Sequence, residues 1–305
     1  MQNKRVLLIG GAGTLGSDIL NVDWENCELF VIDNFSESVL TEEKVKNKCR
    51  YKNTSIADEL AMTDIFQNFK PDLVLYLATT ISKNEWRNFE SNIIGIVNTI
   101  KAAEKTNFPR LIYFQSFLTR RSDSIINVNS AFDAKDSYSI WKLGAELLLR
   151  NYAGKKTTIV LASVLSPKLS IGAIPAFLNF FSHSKKIMVT DTYRDYIDTA
   201  TFISGVKSII EQDNLPETLV LGSGTPISTL QILKSTALQC QRDLSAIDFE
   251  IIEPKWSDPA YICLDNNWFN SLNSTPVDID ACVETIVNNL NLSQTISRQH
   301  HFDTL

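Results

Sequence analysis

The sequence predicts an α/β fold in which a doubly wound parallel sheet fills the first half of the chain. Short apolar runs alternate there with helical patterns, which is typical of strand–helix–strand units around a sheet buried on both faces. The predicted strands are Arg5–Ile9, Leu29–Ile32, Leu73–Leu77, Leu111–Phe114 and Thr158–Leu161, and the clearest helices between them are Ile93–Glu104 and Ser139–Leu149. Because connections between parallel strands are right-handed, we expect helices on both faces of the sheet.

The second half of the chain is less regular. Ala200–Glu211 has a helical pattern, and Leu219–Leu221 predicts a strand that enters a turn at Gly222. Ser166–Phe181 contains two prolines and a glycine, so it predicts a loop followed by a short helix. We therefore expect two parts: residues 1–165, to which segments near 193–225 return, and a smaller C-terminal α/β part, residues 166–305.

Composition excludes several classes of protein. The 305 residues carry a net charge of −6, which argues against a broad nucleic-acid or anionic-membrane surface. The five cysteines are far apart and form no CxxC, so neither a disulfide framework nor a metal site is expected, and a reducing, cytoplasmic location fits. Since no apolar run reaches 18 residues, we expect neither a membrane span nor a signal peptide.

A glycine-rich turn follows the first predicted strand. Gly10, Gly13 and Gly16 have GxxGxxG spacing. The first glycine allows a sharp turn, the second lets backbone approach a pyrophosphate, and the third lets the next helix pack closely on the sheet. With Thr14 and Leu15 at the positive end of that helix, this turn predicts a dinucleotide site in a Rossmann sheet.

An acidic residue ends the next predicted strand. Asp33, followed by Asn34, stands 23 residues after Gly10, where a carboxylate accepts hydrogen bonds from an adenosine ribose. The same carboxylate repels a 2′-phosphate and has no arginine beside it, which favours NAD over NADP. The alternative interpretation of this pair is an ordinary turn after a strand.

A serine, a tyrosine and a lysine form a candidate catalytic set. Tyr138 and Lys142 are four residues apart, so their side chains share one face of the predicted helix. A free phenol has a pKa of about 10, and a nearby ammonium favours the phenolate that can accept a hydroxyl proton. Ser116 follows the strand Leu111–Phe114, where its hydroxyl can hold the same substrate oxygen. A surface Tyr/Lys pair is the alternative.

Taken together, these motifs resemble those of the extended short-chain dehydrogenase/reductases, and among them the NAD-dependent sugar-nucleotide epimerase/dehydratase family, whose UDP-glucose 4-epimerases are similar over nearly the whole chain. The glycine turn, Asp33-Asn34, Ser116, Tyr138 and Lys142 carry the resemblance. Further segments are similar to motifs of this family, namely Pro71–Ala78, Ser91-Asn92 with Gly95, Gln115-Ser116, Arg194–Ile197, Leu221–Gly224 and Lys255–Asp258, and Gly172–Phe177 resembles members that act in surface polysaccharide synthesis.

The resemblance implies further site residues. Beside the residues of the glycine turn and the strand end, NAD would contact Ser55, Ile56, Leu77, Ala78, Thr79, Ser91, Tyr138, Lys142 and Ala162. A nucleotide-sugar substrate, expected to be UDP-linked, would contact Ile81, Ser116, Ser163, Arg194, Lys255 and Asp258. Homodimers in this family pack two helices per subunit, which here would be Ile93–Glu104 and Ser139–Leu149.

The implied reaction is 4-epimerisation through a transient 4-keto sugar. Phe117-Leu118 stand where 4,6-dehydratases of the family carry an Asp-Glu pair, so elimination lacks its acid and base. Two alternatives stay open. The same three side chains would serve a 4-ketosugar-nucleotide reductase in deoxysugar synthesis, and the chain could instead be a non-catalytic NAD-binding protein.

The sequence also departs from the family pattern. Val160, Ser163 and Ser166 replace an arginine, an asparagine and a glycine that follow the sixth strand in relatives. Arg120 replaces a tyrosine and is followed by Arg121. This basic pair is expected either to bind an acidic sugar such as a uronate or to be solvated charge.

Overall fold

A computed structural model of the chain describes residues 3–80, 84–183, 186–256 and 258–302. The chain divides into two compact units. Unit 1 comprises Met1–Arg121, Ile126–Leu161 and Ile203–Leu221, and unit 2 comprises Ser122–Ile125, Ala162–Phe202 and Gly222–Leu305. The segment that returns to unit 1 is thus 203–221, within the second half of the sequence.

The regular elements within the described residues are as follows. The strands are β1 (Lys4–Ile9), β2 (Cys27–Asp33), β3 (Arg50–Asn53), β4 (Leu73–Tyr76), β5 (Arg110–Ser116), β6 (Lys156–Leu161), β7 (Ser163–Leu165), β8 (Ile187–Thr190), β9 (Tyr193–Arg194), β10 (Tyr196–Asp198), β11 (Thr218–Leu221), β12 (Ile227–Ser228) and β13 (Phe249–Ile252). The helices are α1 (Thr14–Ile19), α2 (Glu42–Lys46), α3 (Glu59–Phe69), α4 (Glu85–Phe89), α5 (Gly95–Glu104), α6 (Ser137–Leu149), α7 (Ala173–His183), α8 (Thr199–Glu211), α9 (Thr229–Gln239), α10 (Asn267–Ser271) and α11 (Ile279–Phe302).

Unit 1 is built on a seven-stranded parallel sheet in the order β11-β6-β5-β4-β1-β2-β3. The strand order reverses between β1 and β4, and ligands of open α/β sheets bind beside such a reversal, at the carboxyl ends of the strands. The register pairs Ile9 with Ile32 on one side and with Tyr76 on the other, so these strands end level with one another. The predicted doubly wound parallel sheet is confirmed.

The core of unit 1 explains why the strands were predictable. Val6, Leu7, Leu8 and Ile9 of β1 are fully buried, since helices cover both faces of the sheet. One cluster joins the inner strands to α3, α5 and α6 through Phe66, Tyr113 and other apolar side chains. The strands of such a sheet therefore appear in the sequence as continuous apolar runs.

Strand β3 was absent from the prediction. Its sequence, Arg50-Tyr51-Lys52-Asn53, has no apolar run, and most of its side chains are exposed because it lies at the edge of the sheet. Arg50 there pairs with Glu28 of β2 at 2.9 Å. A second difference concerns the predicted helix Ile93–Glu104, because its first residues belong to a π-helical turn, Glu90–Ile94, that joins α4 to α5.

The described residues of unit 2 form three small strand pairs and a helical core. Strands β7 and β10 are parallel, β8 and β13 are parallel, and β9 and β12 are antiparallel. Helices α7, α9 and α11 bury a cluster that includes Phe177, Phe181, Leu233 and Val283. The predicted loop and short helix at 166–181 correspond to α7 and the segment before it.

Among the residues that the structure describes, no helix combines the length and apolar character needed to cross a membrane.

Candidate active site at the carboxyl edge of the sheet

The glycine turn after β1 is tightly packed against its neighbours. Gly10 has a φ of +81°, and a Cβ there would lie 2.7 Å from the Ala78 nitrogen. A Cβ on Gly16 would collide with the Gly10 carbonyl oxygen. At these two positions the turn therefore has no room for a side chain larger than the hydrogen atom of glycine.

The same turn leaves backbone donors available to a ligand. Gly13 is the N-cap of α1 and has no side chain to cap it, so the first N–H groups of the helix lack a local side-chain acceptor from that position. A Cβ on Gly13 would meet only the Gly10 oxygen, at 3.4 Å, so one face of Gly13 is open. Backbone N–H groups at a helix start are the kind of donor to which phosphate groups bind in proteins.

Asp33 at the end of β2 is bound to the glycine turn. One carboxylate oxygen accepts a hydrogen bond from the Ala12 N–H at 2.9 Å, and the other accepts one from the Phe35 N–H at 2.8 Å. Burial raises the pKa of this carboxyl, and the backbone hydrogen bonds oppose that rise. Each oxygen keeps lone pairs for ribose hydroxyls. Asn34 instead accepts hydrogen bonds from Ser36.

The loop after β4 is held by the π-helical turn. Leu77 donates its N–H to the Ile9 oxygen at 2.9 Å, which keeps this loop beside the glycine turn. The Thr79 hydroxyl donates to Oδ1 of the buried Asn92 at 3.0 Å, and the Ser91 hydroxyl donates to the Thr80 hydroxyl oxygen at 3.1 Å. Such π turns are frequent at functional sites, and this one orders the loop that faces the predicted cofactor.

Ser55 and Ile56 follow β3. The Ser55 hydroxyl oxygen accepts the Ala57 N–H at 3.1 Å, and the Ile56 carbonyl accepts a hydrogen bond from the Asn98 side chain at 3.1 Å. The Ile56 side chain packs against Gly95, where a Cβ would collide with it.

Ser116 and Tyr138 are brought together by β5 and α6. The Ser116 oxygen also accepts the Leu118 N–H at 3.2 Å, which fixes the serine at the strand end. Burial raises the pKa of Tyr138 to about 12, and a hydrogen bond with the Ser116 side chain opposes that rise. Asp136 and Ser139 form a capping box that fixes the start of α6, and with it the first helical turn, which carries Tyr138.

Lys142 lies one helical turn after Tyr138 and is only 3% exposed. Its ammonium donates to the Phe114 carbonyl oxygen at 2.6 Å and lies 4.2 Å from the centroid of the Tyr113 ring. Burial lowers the pKa of Lys142 to about 7, against the pull of the Glu146 carboxylate. A proton on Lys142 is therefore mobile near neutral pH, which is a property of acid–base sites.

Arg120 does not form the exposed basic pair that the sequence suggested. Its side chain is buried, and its guanidinium contacts Glu146 at 2.7 Å and lies 4.6 Å from the Phe132 ring centroid. Arg121 is exposed. The hypothesis of two arginines that bind an acidic sugar, or that are solvated together, is wrong for Arg120 because its charge is neutralised inside unit 1.

Unit 2 brings together three of the predicted substrate residues, Arg194, Lys255 and Asp258. Arg194 forms an ion pair with Asp258 and donates to the Tyr193 carbonyl oxygen at 2.9 Å. The exposed Lys255 accepts the Asp258 N–H through its carbonyl oxygen at 2.8 Å. These three residues form one polar group. Its charged side chains are of the type that forms ion pairs or hydrogen bonds with a diphosphate or a ribose.

The remaining predicted residues are placed as follows. Ala162 directly follows β6 and is buried. Ser163 begins β7, and its N–H donates to the Asp195 carbonyl oxygen at 3.1 Å. Ile81 lies outside the described residues. Within the described part of the chain, no group of three or more histidine, cysteine or acidic side chains is arranged to hold a metal ion.

Sequence reasoning gave no role to the buried acids Asp195 and Glu146. Asp195 is fully buried, and its carboxylate accepts hydrogen bonds from the backbone N–H groups of Ser223, Gly224 and Leu264. Glu146 is the second, and it follows Lys142 by four residues. That spacing places both side chains on one helix face and was the available signal.

Comparisons with known proteins indicate the family and the fold of the chain. The sequence pattern of the NAD dependent epimerase/dehydratase family matches residues 6–222. UDP-glucose 4-epimerase of Mycoplasma genitalium is 26% identical over 190 residues, which cover 58% of this chain and 55% of that protein. The match thus spans about half the length of that curated relative.

Solved structures show the same fold. The Bordetella bronchiseptica enzyme WbmG, in complex with NAD and UDP, is 24% identical with a TM-score of 0.84, and the match covers 96% of each chain. UDP-glucuronic acid 4-epimerase of Bacillus cereus, in complex with UDP-glucuronic acid and NAD, is 15% identical with a TM-score of 0.82, over 94% of this chain and 99% of that one.

The match to the family covers both the glycine turn and the segment with Ser116, Tyr138 and Lys142. It confirms the resemblance found in the sequence, and with it NAD as the cofactor of the family to which these motifs belong. The chain is a member of the NAD dependent epimerase/dehydratase family.

Proposed function

We propose that the chain is an NAD-dependent 4-epimerase that acts on a UDP-sugar through a transient 4-keto intermediate. The observation that carries this proposal is the position of Ser116 at the end of β5 and of Lys142 on α6, one helical turn after Tyr138, with the Lys142 ammonium donating to the Phe114 carbonyl oxygen at 2.6 Å. Both β5 and β1 end at the carboxyl edge of the same sheet, so the three side chains and the glycine turn share that edge.

The residues at this edge fit NAD. Gly10 and Gly16 allow the tight turn, Gly13 leaves one face open for a pyrophosphate, and the N–H groups at the start of α1 would be its donors. Asp33 would accept hydrogen bonds from the adenosine ribose. When bound, NAD supplies the electron acceptor for C4 of the sugar and returns the electrons to the same carbon.

Tyr138 would accept the proton of the C4 hydroxyl, and Ser116 would hold the same oxygen by a hydrogen bond. With a pKa of about 12, the phenol on its own keeps its proton at neutral pH and so cannot accept another. A positive charge nearby favours the phenolate, and both the Lys142 ammonium and the cationic nicotinamide ring have the required sign. The proton returns from Tyr138 to the oxygen when the new epimer forms.

Unit 2 carries side chains whose chemistry suits a nucleotide diphosphate. Arg194 and Lys255 carry the positive charge that a diphosphate needs, Asp258 can accept ribose hydroxyls, and Ser163 can donate one hydrogen bond. A UDP-sugar is favoured because the curated relative is a UDP-glucose 4-epimerase and the two solved structures contain UDP or a UDP-sugar.

Elimination of water from the sugar is less compatible with the site. Phe117, next to Ser116, is a buried phenylalanine, and Leu118 follows it where 4,6-dehydratases carry their acid and base. This arrangement leaves 4-epimerisation or 4-ketone reduction for the three side chains.

We also propose a homodimer through α5 and α6. Ile140 and Leu147 of α6 are 52% and 45% exposed, which is a large apolar area for one helix face. A second copy of the chain would cover it. A role in surface polysaccharide synthesis and a cytoplasmic location are proposed on the sequence resemblance and on the five free thiols.

The test is proton NMR of the purified protein with a panel of UDP-hexoses, UDP-N-acetylhexosamines and UDP-uronates, without added nicotinamide. A new C4 epimer formed over many turnovers would support the epimerase with resident NAD. Turnover only of a 4-keto sugar, with NADH consumed in equal amount, would replace it with the reductase. No reaction in either assay would leave an NAD-binding protein without this activity.

A further inference from the structure

A buried ion pair connects the two segments that carry the catalytic set. Arg120 follows the short 3₁₀ turn Phe117–Thr119, which begins directly after Ser116. Glu146 lies on α6, one turn after Lys142. The Arg120 and Glu146 side chains are 3% and 1% exposed and contact each other at 2.7 Å. Since both charges are removed from water, each depends on the other for its compensation.

Gln115 extends this connection to the helix backbone. Its side-chain N–H groups donate to the second Glu146 oxygen at 2.8 Å and to the Lys142 carbonyl at 3.0 Å. The Gln115 side-chain oxygen accepts the Ser116 N–H at 2.9 Å. The strand end that carries Ser116 and the helix that carries Lys142 are therefore joined by a continuous set of buried hydrogen bonds.

The titratable and charged groups around Lys142 come from α6 and its C-cap, from strands β4 and β5, and from the segment that follows β5. They are Tyr138 and Glu146 of α6, Tyr113 of β5, Tyr76 of β4 behind Tyr113, and Arg120 and Arg150 on the far side of Glu146. Among them, the Glu146 carboxylate is the group whose negative charge raises the pKa of Lys142. The buried Arg120 cation forms an ion pair with the same carboxylate.

We propose that Arg120 and Glu146 are positioning residues for the catalytic set. Their ion pair holds the Ser116 segment against α6 and keeps the net charge beside the Lys142 ammonium near zero. The proposal rests on the proposed function, because it takes Ser116, Tyr138 and Lys142 as the catalytic side chains. It assigns Arg120 a structural and electrostatic role inside unit 1 in place of a contact with the sugar.

Two single substitutions should move the proton equilibrium of Lys142 in opposite directions. Arg120→Met leaves the Glu146 carboxylate less compensated, so Lys142 should keep its proton to higher pH, by about one pH unit. Glu146→Gln leaves the Arg120 cation uncompensated, so Lys142 should lose its proton at a pH lower by about one unit. A purely structural role predicts no such opposition of sign.

The readout is the titration of the Lys142 ε-methylene by ¹H–¹³C NMR in NAD-loaded protein with ¹³C-labelled lysine, assigned by its loss in Lys142→Met. Arg150→Met is the matched control, because Arg150 also faces Glu146 and Phe132 but is 56% exposed. It should leave the titration midpoint within about 0.3 units, since exposed ion pairs are weak. Midpoints that stay fixed in both single variants, or that move in the same direction, would overturn the proposal.

Turnover gives a second readout. Both single variants should lower kcat about tenfold or more with KM within about twofold, because a misplaced catalytic group costs rate and not ground-state binding. If the single variants do not fold, Arg120→Met/Glu146→Leu removes both charges without leaving one buried and unpaired. A native kcat in that folded double variant would also overturn the proposal. If the unsubstituted protein converts no nucleotide sugar, the proposed function fails while the titrations still decide this inference.

Discussion

Gly10 and Ala78 approach each other so closely that a Cβ on Gly10 would lie 2.7 Å from the Ala78 nitrogen. The two residues follow β1 and β4, the neighbouring strands between which the order of the sheet reverses. Their contact therefore lies at the reversal of strand order, beside which ligands of such sheets bind.

Substitution Gly10→Ala should destabilise the protein and weaken its binding of NAD. The φ of +81° costs an alanine about 1–2 kcal/mol, and the contact with Ala78 adds to it. Gly172→Ala is the matched control, because Gly172 has a φ of +111° with nothing within 4 Å of an added Cβ. Chemical denaturation should show a clearly larger loss of unfolding free energy for Gly10→Ala. Equal losses in the two variants would mean that strain alone acts at Gly10.

Substitution Tyr138→Phe should abolish most turnover. Removal of a positioned acid–base group lowers kcat by about 10²–10⁴-fold, while the phenylalanine keeps the packing of α6. Tyr152→Phe is the control for loss of a buried phenol, since its hydroxyl donates to the Pro109 oxygen at 2.6 Å outside the catalytic set. That variant should lose about 1 kcal/mol of unfolding free energy and keep its kcat. A Tyr138→Phe protein with native kcat would remove the phenol from the mechanism.

The buried Lys142 should make stability depend on pH. Burial lowers its pKa to about 7 from an ordinary value of 10.5, so between these values the unfolded chain binds this proton and the folded chain does not. Unfolding then takes up a proton, and the unfolding free energy rises with pH through this window, by about 1.4 kcal/mol per unit.

Lys142→Met lacks this contribution. In cofactor-free protein, the difference in unfolding free energy between native protein and variant should therefore shift in favour of the native protein as pH rises from about 7 to about 10. Urea titrations at several pH values measure it. Parallel curves for the two proteins would show that Lys142 keeps its proton in the folded state.

Substitution Asp33→Asn should weaken the affinity for NAD by about tenfold or more. It should also reduce the preference for NAD over NADP. The amide keeps one acceptor for the Ala12 or Phe35 N–H but loses the charge that repels a 2′-phosphate. Asp72→Asn, at the opposite end of the strands beside Arg5, is the control and should leave both affinities unchanged. Calorimetric titration of cofactor-free protein gives both dissociation constants. A native protein that already prefers NADP would contradict the role of Asp33.

The sequence was most informative where a residue's environment repeats along the chain. Strands such as β1 and β5 are buried on both faces, so their apolar runs stand out without any structure. The polar edge strand β3 has no such run, and hydrophobic pattern cannot detect it.

Pairwise relations over long separations were not predictable. Arg120 and Glu146 are 26 positions apart, and either residue alone resembles ordinary surface charge. The π-helical turn at Glu90–Ile94 was missed for a different reason, since one added residue per turn barely changes a helical pattern. Ser116 and Tyr138 could be anticipated because they lie next to a strand end and a helix start, and Lys142 because its spacing of four residues from Tyr138 puts it on the same helix face.

The place of β11 in the sheet has a consequence for synthesis. This strand, residues 218–221, pairs with β6 and closes one edge of the sheet, although the chain passes through unit 2 between them. Until the ribosome has released β11, β6 presents a row of unpaired backbone groups that can pair with any other extended chain. A nascent or truncated polypeptide that ends near residue 165 is thus prone to aggregation. Binding of chaperones to it until β11 has been synthesised would favour a high yield of native protein.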